Sequence, residues 1–161
     1  TFNPVMDYTN NEEFIQDVEI CALHLNSMVD DEKRIPVNLA IAQAIHESNW
    51  GKSRFAREGN NLYGIRTFDS SKDQLKPLDN PNVTWGLRIF ETKCESVSYY
   101  MWLLNYSHHY SEFREERLMQ YAGDVVNLDK LALTLAIYSE DVYYTQKIIR
   151  TLKKLESYDR D

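Results

Sequence analysis

The stretch IPVNLAIAQAIHESNWGKSRFAREGNNLYGIRT, residues 35–67, decides the fold that this sequence predicts. It opens as an apolar helix in which Pro36 suits the first position, because an N–H there has no helical partner. Apolar residues then recur at helical spacing as far as Gly51, a residue that favours a left-handed helix cap. We therefore predict a buried central helix that ends in a sharp turn.

One acid, Glu47, lies in the last turn of this helix, beside Trp50. The helix dipole disfavours a negative charge there by roughly 0.3–1 kcal/mol, and the neighbouring turns are apolar. Both effects tend to raise the pKa of a carboxyl group, which a general acid working near neutral pH requires. The alternative is a solvated surface charge that pairs with Lys52 or Arg54, and spacing alone favours this plainer interpretation.

A small β-lobe is predicted after the central helix. Leu62–Arg66 reads as an alternating, aromatic-rich strand, in which Gly64 indicates a bulge or a close approach of another backbone. Val83–Phe90 reads as the returning strand. We expect an antiparallel hairpin lobe over about residues 61–90, facing the end of the helix that carries Glu47.

The remaining sequence is helical, and the whole chain, residues 1–161, reads as one α+β, mostly helical domain. One helix is predicted from Asn11 to about Asp31, with apolar residues repeating every three or four positions. Four more are predicted after the lobe: from Thr92 or Lys93 to Asn105, from a cap at Ser111, from Leu128 to Tyr138, and from Asp141 or Val142 to Leu155.

Composition excludes several classes of function. The net charge of −7 argues against sequence-independent nucleic-acid binding and against electrostatic attraction to anionic envelope polymers. No stretch approaches the ~20 apolar residues of a membrane span. The chain opens TFNPVMDYTN, so we expect a trimmed form whose export signal was removed.

No cofactor pattern is present in the sequence. His46-Glu47 does not extend to HExxH, because position 50 is Trp50, and no CxxC pair suggests zinc. We expect no metal and no organic cofactor, and we assume a monomer.

The two cysteines, Cys21 and Cys94, allow two interpretations. They can form a disulfide in an oxidising compartment, or they can be two small buried apolar residues. Because sequence does not reveal their separation, we favour the second interpretation.

A family resemblance changes the interpretation of Glu47. Residues 42–65, in the pattern AxAxHESNWGKSRFAREGNNLYGI, resemble the signature of the bacterial glucosaminidase family of peptidoglycan hydrolases (glycoside hydrolase family 73). That signature is an Ala-rich helix, Glu-Ser-x-Trp-Gly-x-Ser and then Asn-Leu-Phe/Tyr-Gly-Ile. The resemblance implies a compact, mostly helical lysozyme-like fold in which Glu47 is the catalytic acid.

Two later segments extend this resemblance. FETKCESVSYYMWLLNYSHHYSEFREER, residues 90–117, is similar to the Bax-like branch of the family. LAIYSEDVYYTQKI, residues 135–148, is similar to the family's Tyr-containing motif, in which Tyr138 matches a tyrosine that lines the active site. Without the resemblance, Tyr138 would be interpreted as a core tyrosine at the end of a helix.

The candidate site residues follow from these matches. Glu47 and Tyr138 are the candidate catalytic residues. The candidate substrate-binding residues are Ser48, Trp50, Asn61 and Tyr63. Trp50 and Tyr63 can both stack on sugars, but a Trp just before a helix end more often packs in the core, so we expect Tyr63 to line the cleft.

A glycosidase usually needs a second carboxyl group, and the sequence does not identify it. Many family members carry a Glu in the hairpin, but no Glu lies between Glu58 and Glu91 here. The candidates are Asp69, Asp73, Asp79, Glu91, Glu95, Glu140 and Asp141. Retaining, inverting and substrate-assisted mechanisms therefore all stay open.

The resemblance implies a peptidoglycan hydrolase of the cell envelope, periplasmic or extracellular, which acts on the glycan strand. The leading hypothesis is an endo-β-N-acetylglucosaminidase that cleaves after N-acetylglucosamine. Muramidase or lytic transglycosylase action on the neighbouring bond is an alternative, as is a non-catalytic glycan-binding domain with the same fold.

Overall fold

The computed structural model of this chain describes residues 4–158. Within them the chain forms seven α-helices and three short strands, which confirms the predicted mostly helical α+β class. The helices are α1 (Asn11–Asn26), α2 (Val37–Ser48), α3 (Arg54–Gly59), α4 (Lys93–Tyr106), α5 (Ser111–Ala122), α6 (Leu128–Leu133) and α7 (Tyr144–Glu156). The strands are β1 (Arg66–Thr67), β2 (Gln74–Leu75) and β3 (Gly86–Arg88), and short 3₁₀ turns cover Asp31–Lys33, His108–Tyr110 and Ala136–Tyr138.

The central helix α2 is the core of the molecule. Residues 39–45 are all buried, with α1 and α7 packed against it. The helix ends at Ser48, and three successive residues, Asn49, Trp50 and Gly51, then adopt left-handed φ values of 49°, 60° and 72°. The sharp turn is therefore present, but the left-handed cap is Asn49 and not the predicted Gly51.

The first helix is shorter than predicted, because α1 ends at Asn26 and not near Asp31. The buried side chain of Asn26 donates to the Ile35 carbonyl oxygen over 2.8 Å and accepts the Ile35 N–H over 3.0 Å. This pair of hydrogen bonds ties the end of α1 to the chain just before α2, so the intervening residues fold back.

The lobe contains three strands in the order β1-β3-β2, all antiparallel. The predicted strand over residues 62–66 is wrong for most of its length, because β1 begins only at Arg66. Asn61 holds the preceding residues as a turn: its Oδ1 accepts the Ile65 N–H over 3.1 Å and its Nδ2 donates to the Ile65 and Arg88 carbonyl oxygens, each over 2.9 Å. Gly64, with φ of 65°, permits this turn because a left-handed backbone disfavours any side chain.

The helices after the lobe begin close to their predicted positions. Thr92 caps α4 by accepting the Glu95 N–H over 3.1 Å, and α5 starts at Ser111. The last helix starts at Tyr144 rather than near Asp141, because the Asp141 carboxylate accepts the Tyr143 N–H over 2.9 Å and holds a turn there.

The helix predicted over residues 128–138 is divided into two elements. After α6 ends at Leu133, the Thr134 hydroxyl donates to the Leu131 carbonyl oxygen over 2.6 Å. The Leu135 N–H then bonds to Ala132, three residues back rather than four. This tighter winding leads into the 3₁₀ turn that carries Tyr138.

Cys21 and Cys94 form a disulfide, with their Cα atoms 5.8 Å apart. The favoured interpretation of two unbonded buried thiols is therefore wrong. The bond joins α1 to α4, two helices that pack together although 73 residues separate the cysteines.

Candidate active site

Glu47 lies half-buried in the last turn of α2. Burial raises the pKa of its carboxyl group to about 7, and a hydrogen bond from Tyr144 and the positive charge of Arg66 lower it by smaller amounts. The predicted direction of the shift is therefore correct, with burial as its main cause. A carboxyl group with this pKa is partly protonated at neutral pH and can donate a proton there.

Gly64 brings the turn before β1 directly against this acid. A Cβ atom at position 64 would lie only 2.8 Å from Oε2 of Glu47, which is closer than nonbonded atoms approach. The predicted close approach at Gly64 thus exists, although it involves a side chain rather than a backbone. Any residue larger than glycine would press on the carboxylate.

A group of tyrosines, Tyr110, Tyr138 and Tyr144, borders Glu47 on the helical side. The rings of Tyr138 and Tyr144 are nearly parallel with centroids 6.0 Å apart, and Tyr110 lies 5.9 Å from Tyr138. The negative charge of Glu47 contributes to raising the pKa of all three phenols, after burial, and that of Tyr110 reaches about 12. All three phenols therefore stay neutral beside the acid.

Tyr138, the predicted catalytic tyrosine, lies in this group. Its hydroxyl donates to the carbonyl oxygen of Tyr63 over 2.9 Å, so its proton is already engaged by the turn that carries Gly64. The charge of Glu47 contributes to the raised pKa of the Tyr138 phenol, so the two side chains lie near each other. The structure thus brings Tyr138 and Glu47 together, as the family match implies.

The lobe contributes a cation and an aromatic ring. Arg66 on β1 is exposed and stacks over the half-buried Trp85, with the guanidinium carbon 3.9 Å from the ring centroid. Its charge reaches Glu47, since it lowers the pKa of that carboxyl group. The acid therefore has a buried tyrosine wall on one side and a solvent-facing cation on the other.

Three of the four predicted substrate-binding residues do not fit a role in substrate contact. Ser48, Asn61 and Tyr63 are at most 1% exposed, and their polar atoms are engaged inside the fold. Ser48 donates to the Ala44 carbonyl oxygen and accepts the Gly51 N–H, which closes the end of α2.

The predicted cleft residue Tyr63 is instead a core residue. Its hydroxyl donates to the Ala40 carbonyl oxygen over 2.9 Å, and its ring stacks on Tyr100 with centroids 4.0 Å apart. Trp50 is half-buried and packs edge-on against Phe14 of α1, which agrees with the packing role that its position favoured.

The candidates for a second carboxylate are not among the groups that shift the pKa of Glu47. They are occupied or exposed elsewhere: Asp69 accepts hydrogen bonds from Ser71, Asp141 pairs with Lys147, and Glu95 accepts the N–H of Glu91. Asp73, Asp79 and Glu140 are exposed. Within residues 4–158, no group of three or more His, Cys, Asp or Glu side chains is placed to hold a metal ion.

Sequence analysis missed six residues of this site. They are Arg66, Trp85, Tyr110 and Tyr144 around Glu47, together with Gln43, which donates to the Tyr144 hydroxyl over 3.0 Å, and Tyr100, which donates to Gln43. Gln43 carried a usable signal, since it is a polar residue inside the apolar run of the central helix, and such residues need a buried partner. The other five residues carry no such signal in the sequence, because their place in the site depends on contacts between elements that are distant in the chain.

Comparison with known proteins gives the same fold. The chain superimposes on the glycoside hydrolase domain of FlgJ from Salmonella typhimurium with a TM-score of 0.67 and 20% identity, covering 92% of this chain and 90% of that one. The catalytic domain of the autolysin Auto from Listeria monocytogenes gives a TM-score of 0.65 and 20% identity, covering 95% and 90%. The lysozyme-like fold expected from the sequence is confirmed by these neighbours.

Sequence relatives identify the family. Protein bax of Escherichia coli strain K12 is 33% identical over 92 residues, which are 57% of this chain and 32% of that protein. The chain therefore spans about a third of the length of this curated relative. The model of the Glucosaminidase family, described as mannosyl-glycoprotein endo-beta-N-acetylglucosaminidase, matches residues 27–157. Since that match covers most of the chain, this protein belongs to the Glucosaminidase family of glycoside hydrolases.

Proposed function

We propose that this chain is an endo-β-N-acetylglucosaminidase that cleaves the glycan strand of peptidoglycan after N-acetylglucosamine, with Glu47 as general acid. The observation that carries the proposal is the burial of the Glu47 carboxyl group at the end of α2, which raises its pKa to about 7. Few carboxyl groups outside active sites hold a proton near neutral pH, because an exposed glutamate ionises well below it. Family membership supplies the class of reaction.

The neighbours of Glu47 support a proton-donating role. Tyr144 holds the carboxyl group by a hydrogen bond, and Gly64 leaves room for Oε2. Tyr138 contributes a hydroxyl beside the acid, where its free lone pairs can orient a sugar hydroxyl. We propose Glu47 as the proton donor and Tyr138 as a residue that contacts the reacting sugar.

The exposed lobe side suits the binding of the sugar. The ring of Trp85 offers a face to sugar C–H groups, and Arg66 offers hydrogen-bond donors to hydroxyl and acetamido oxygens. Arg66 lies on β1, and Trp85 directly precedes β3. We propose that they replace Asn61 and Tyr63 as the substrate contacts of the lobe.

A substrate-assisted route fits the carboxylates of this chain. Glu47 protonates the leaving glycosidic oxygen while the acetamido oxygen of the same N-acetylglucosamine attacks the anomeric carbon and the glycosidic bond breaks. Water then attacks the anomeric carbon of the oxazolinium ion, which restores the acetamido group, and the water gives its proton back to the Glu47 carboxylate. This route needs no second carboxylate as a nucleophile, because the acetamido oxygen takes that role. Transglycosylase action on the neighbouring bond also needs one acid, so it stays the second candidate.

Location and assembly are part of the proposal. The Cys21–Cys94 disulfide is typical of an oxidising compartment, and the substrate of the family lies in the cell envelope. None of the helices within residues 4–158 combines the length and apolar character that a membrane crossing requires. We propose a periplasmic or extracellular domain that acts as a monomer on peptidoglycan.

Digestion of purified peptidoglycan tests this function. The wild type is compared with Glu47→Gln, and with Glu58→Gln as a matched control, since Glu58 is an exposed acid that pairs with Arg54 over 2.7 Å. We expect Glu47→Gln to lower the cleavage rate by about 10²–10⁴-fold and Glu58→Gln to leave it unchanged. The wild-type rate should fall as the pH rises through about 7, because Glu47 then loses the proton that it must donate.

Mass spectrometry of the reduced fragments distinguishes the candidate reactions. Fragments that end in reduced N-acetylglucosamine establish the glucosaminidase. Reduced muramic acid ends indicate a muramidase, and anhydromuramic acid ends indicate a transglycosylase. If neither protein produces fragments while glycan binding persists, the chain is a binding domain and the proposal is wrong.

A further inference from the structure

A chain of hydrogen bonds, the relay formed by Tyr100, Gln43 and Tyr144, runs through the core behind Glu47. The hydroxyl of Tyr100 on α4 donates to Oε1 of Gln43 on α2, and Nε2 of Gln43 donates to the Tyr144 hydroxyl over 3.0 Å. Tyr144 on α7 in turn hydrogen-bonds the Glu47 carboxyl group. The relay therefore links α4, α2 and α7 to Glu47, through residues with at most 4% exposure.

Burial determines which group donates and which accepts in each hydrogen bond of the relay. Tyr100 is fully buried, and within residues 4–158 its hydroxyl makes its one hydrogen bond to Gln43. If the Gln43 amide were reversed, the Tyr100 proton would face an N–H group and have no acceptor, which is costly in the core. The amide nitrogen must therefore point to Tyr144. Since the Tyr144 oxygen already accepts from Gln43, its own proton is directed to Glu47.

We propose that Gln43 and Tyr100 are positioning residues that direct the Tyr144 hydroxyl proton to Glu47, and so leave the other carboxyl oxygen to carry the transferable proton. This inference rests on the proposed role of Glu47 as the acid. A donated hydrogen bond occupies one carboxyl oxygen, so the acidic proton resides on the second.

The relay also sets how readily the acid ionises. A hydrogen bond donated to a carboxylate stabilises its charged form and lowers its pKa. The other groups that face Glu47 are Arg66 from β1, Tyr110 from the 3₁₀ turn before α5, and Tyr138 from the turn after α6. Only Tyr144 is connected to Gln43. Breaking the relay should therefore raise the pKa of Glu47 while these other neighbours stay in place.

The test measures the Glu47 carboxyl group directly. The protein is labelled with ¹³C-carboxyl glutamate, and the Glu47 resonance is assigned by its loss in Glu47→Gln. Its pKa is then determined by NMR titration in the absence of glycan. We expect Tyr144→Phe to raise the pKa by about one unit, the loss of one hydrogen bond to a charged group. Tyr100→Phe should raise the pKa of Glu47 by less. Without the Tyr100 hydroxyl, the Gln43 amide can rotate so that its oxygen accepts the Tyr144 proton.

Tyr63→Phe is the matched control. Tyr63 is equally buried, stacks on Tyr100 and loses one hydrogen bond, to the Ala40 carbonyl oxygen, but it lies outside the relay. If Tyr100 has a purely structural role, Tyr63→Phe and Tyr100→Phe should shift the pKa of Glu47 equally. Our proposal predicts that, of these two variants, Tyr100→Phe shifts this pKa and Tyr63→Phe does not. Gln43→Met provides a second variant that releases Tyr144 and should also raise the pKa, in case Tyr100→Phe does not fold.

Two results would overturn the relay: an unchanged Glu47 pKa in the folded Tyr100 or Gln43 variant, or an equal rise in Tyr63→Phe. The outcome is independent of the proposed function, because the titration contains no substrate. Shifts without any glycan cleavage by the wild type support the relay and reject the hydrolase. Cleavage that needs Glu47, without the shifts, supports the hydrolase and rejects the relay.

Discussion

The two regions that border Glu47 are built in opposite ways. On the helical side, Tyr138 and Tyr144 belong to a cluster of stacked rings whose hydroxyls are tied to other helices and to the turn before the sheet. On the lobe side, Arg66 on β1 is exposed and Trp85, just before β3, is half-buried, so both keep solvent contact. Burial on the helical side therefore raises the pKa of Glu47, while the lobe presents side chains that a ligand can reach.

The two regions also differ in expected local stability. The helical body, which consists of the α-helices, encloses most of the buried side chains and contains the disulfide. The segment between β1 and β3 is mostly exposed and has few internal hydrogen bonds between backbone groups. Regions with little buried apolar surface open at lower cost than cores, so we expect the lobe to lose its structure before the helices.

The largest expected effect concerns the stability of the helical body. Replacing both Cys21 and Cys94 by Ala should lower the free energy of unfolding by about 2–4 kcal/mol, since the unfolded chain regains the freedom that the bond removes. Chemical denaturation followed by circular dichroism measures this loss. Because the bond joins α1 to α4 rather than the lobe, the cleavage rate of the folded variant should stay near that of the wild type. A large loss of activity at full folding would contradict this division.

Next in size is the contact between the lobe turn and the acid. Gly64→Ala adds a methyl group 2.8 Å from Oε2 of Glu47 at a left-handed φ of 65°. We expect the cleavage rate to fall by about a hundredfold, because the displaced acid no longer aligns with the bond. Gly123→Ala is the control, since its φ is not left-handed and its closest neighbour is 3.3 Å away. Equal rates in the two variants would show that the turn does not position the acid.

A smaller effect is expected from the exposed face of the lobe. Trp85→Ala removes the ring under Arg66, and we expect the KM for glycan fragments to rise by about 3–10-fold with little change in kcat. Phe68→Ala is the matched control, because Phe68 is another lobe aromatic with 71% exposure. Steady-state kinetics with both variants separates the two residues. A similar rise in KM for Phe68→Ala would mean that general lobe packing, not Trp85, causes the effect.

The smallest effect concerns the charge that the lobe contributes. Arg66 stabilises the ionised form of Glu47 and lowers its pKa, so Arg66→Gln should raise that pKa by about a few tenths of a unit. The pH at which cleavage falls should then move upward by the same amount, because the acid keeps its proton to higher pH. Arg88→Gln, in the neighbouring strand and stacked over Tyr99, should leave the pH profile unchanged. A downward shift for Arg66→Gln would contradict the assigned sign.

The sequence by itself determined the features that depend on near neighbours in the chain. The central helix and the start of α4 at Thr92 follow from apolar spacing and from a short polar side chain that caps a helix. These effects act over three or four residues, so they are readable from a single stretch. The family signature around Glu47 is equally local, which is why it points to Glu47 as the candidate acid.

The tertiary structure decided which distant side chains surround that acid. Gln43 meets Tyr144 across 101 positions, Tyr138 meets Tyr63 across 75, and the cysteines pair across 73. No spacing rule reaches so far, because such contacts depend on how whole helices pack. For the same reason, the sequence suggested sugar contacts at Asn61 and Tyr63, whereas folding buries both and leaves Arg66 and Trp85 facing solvent.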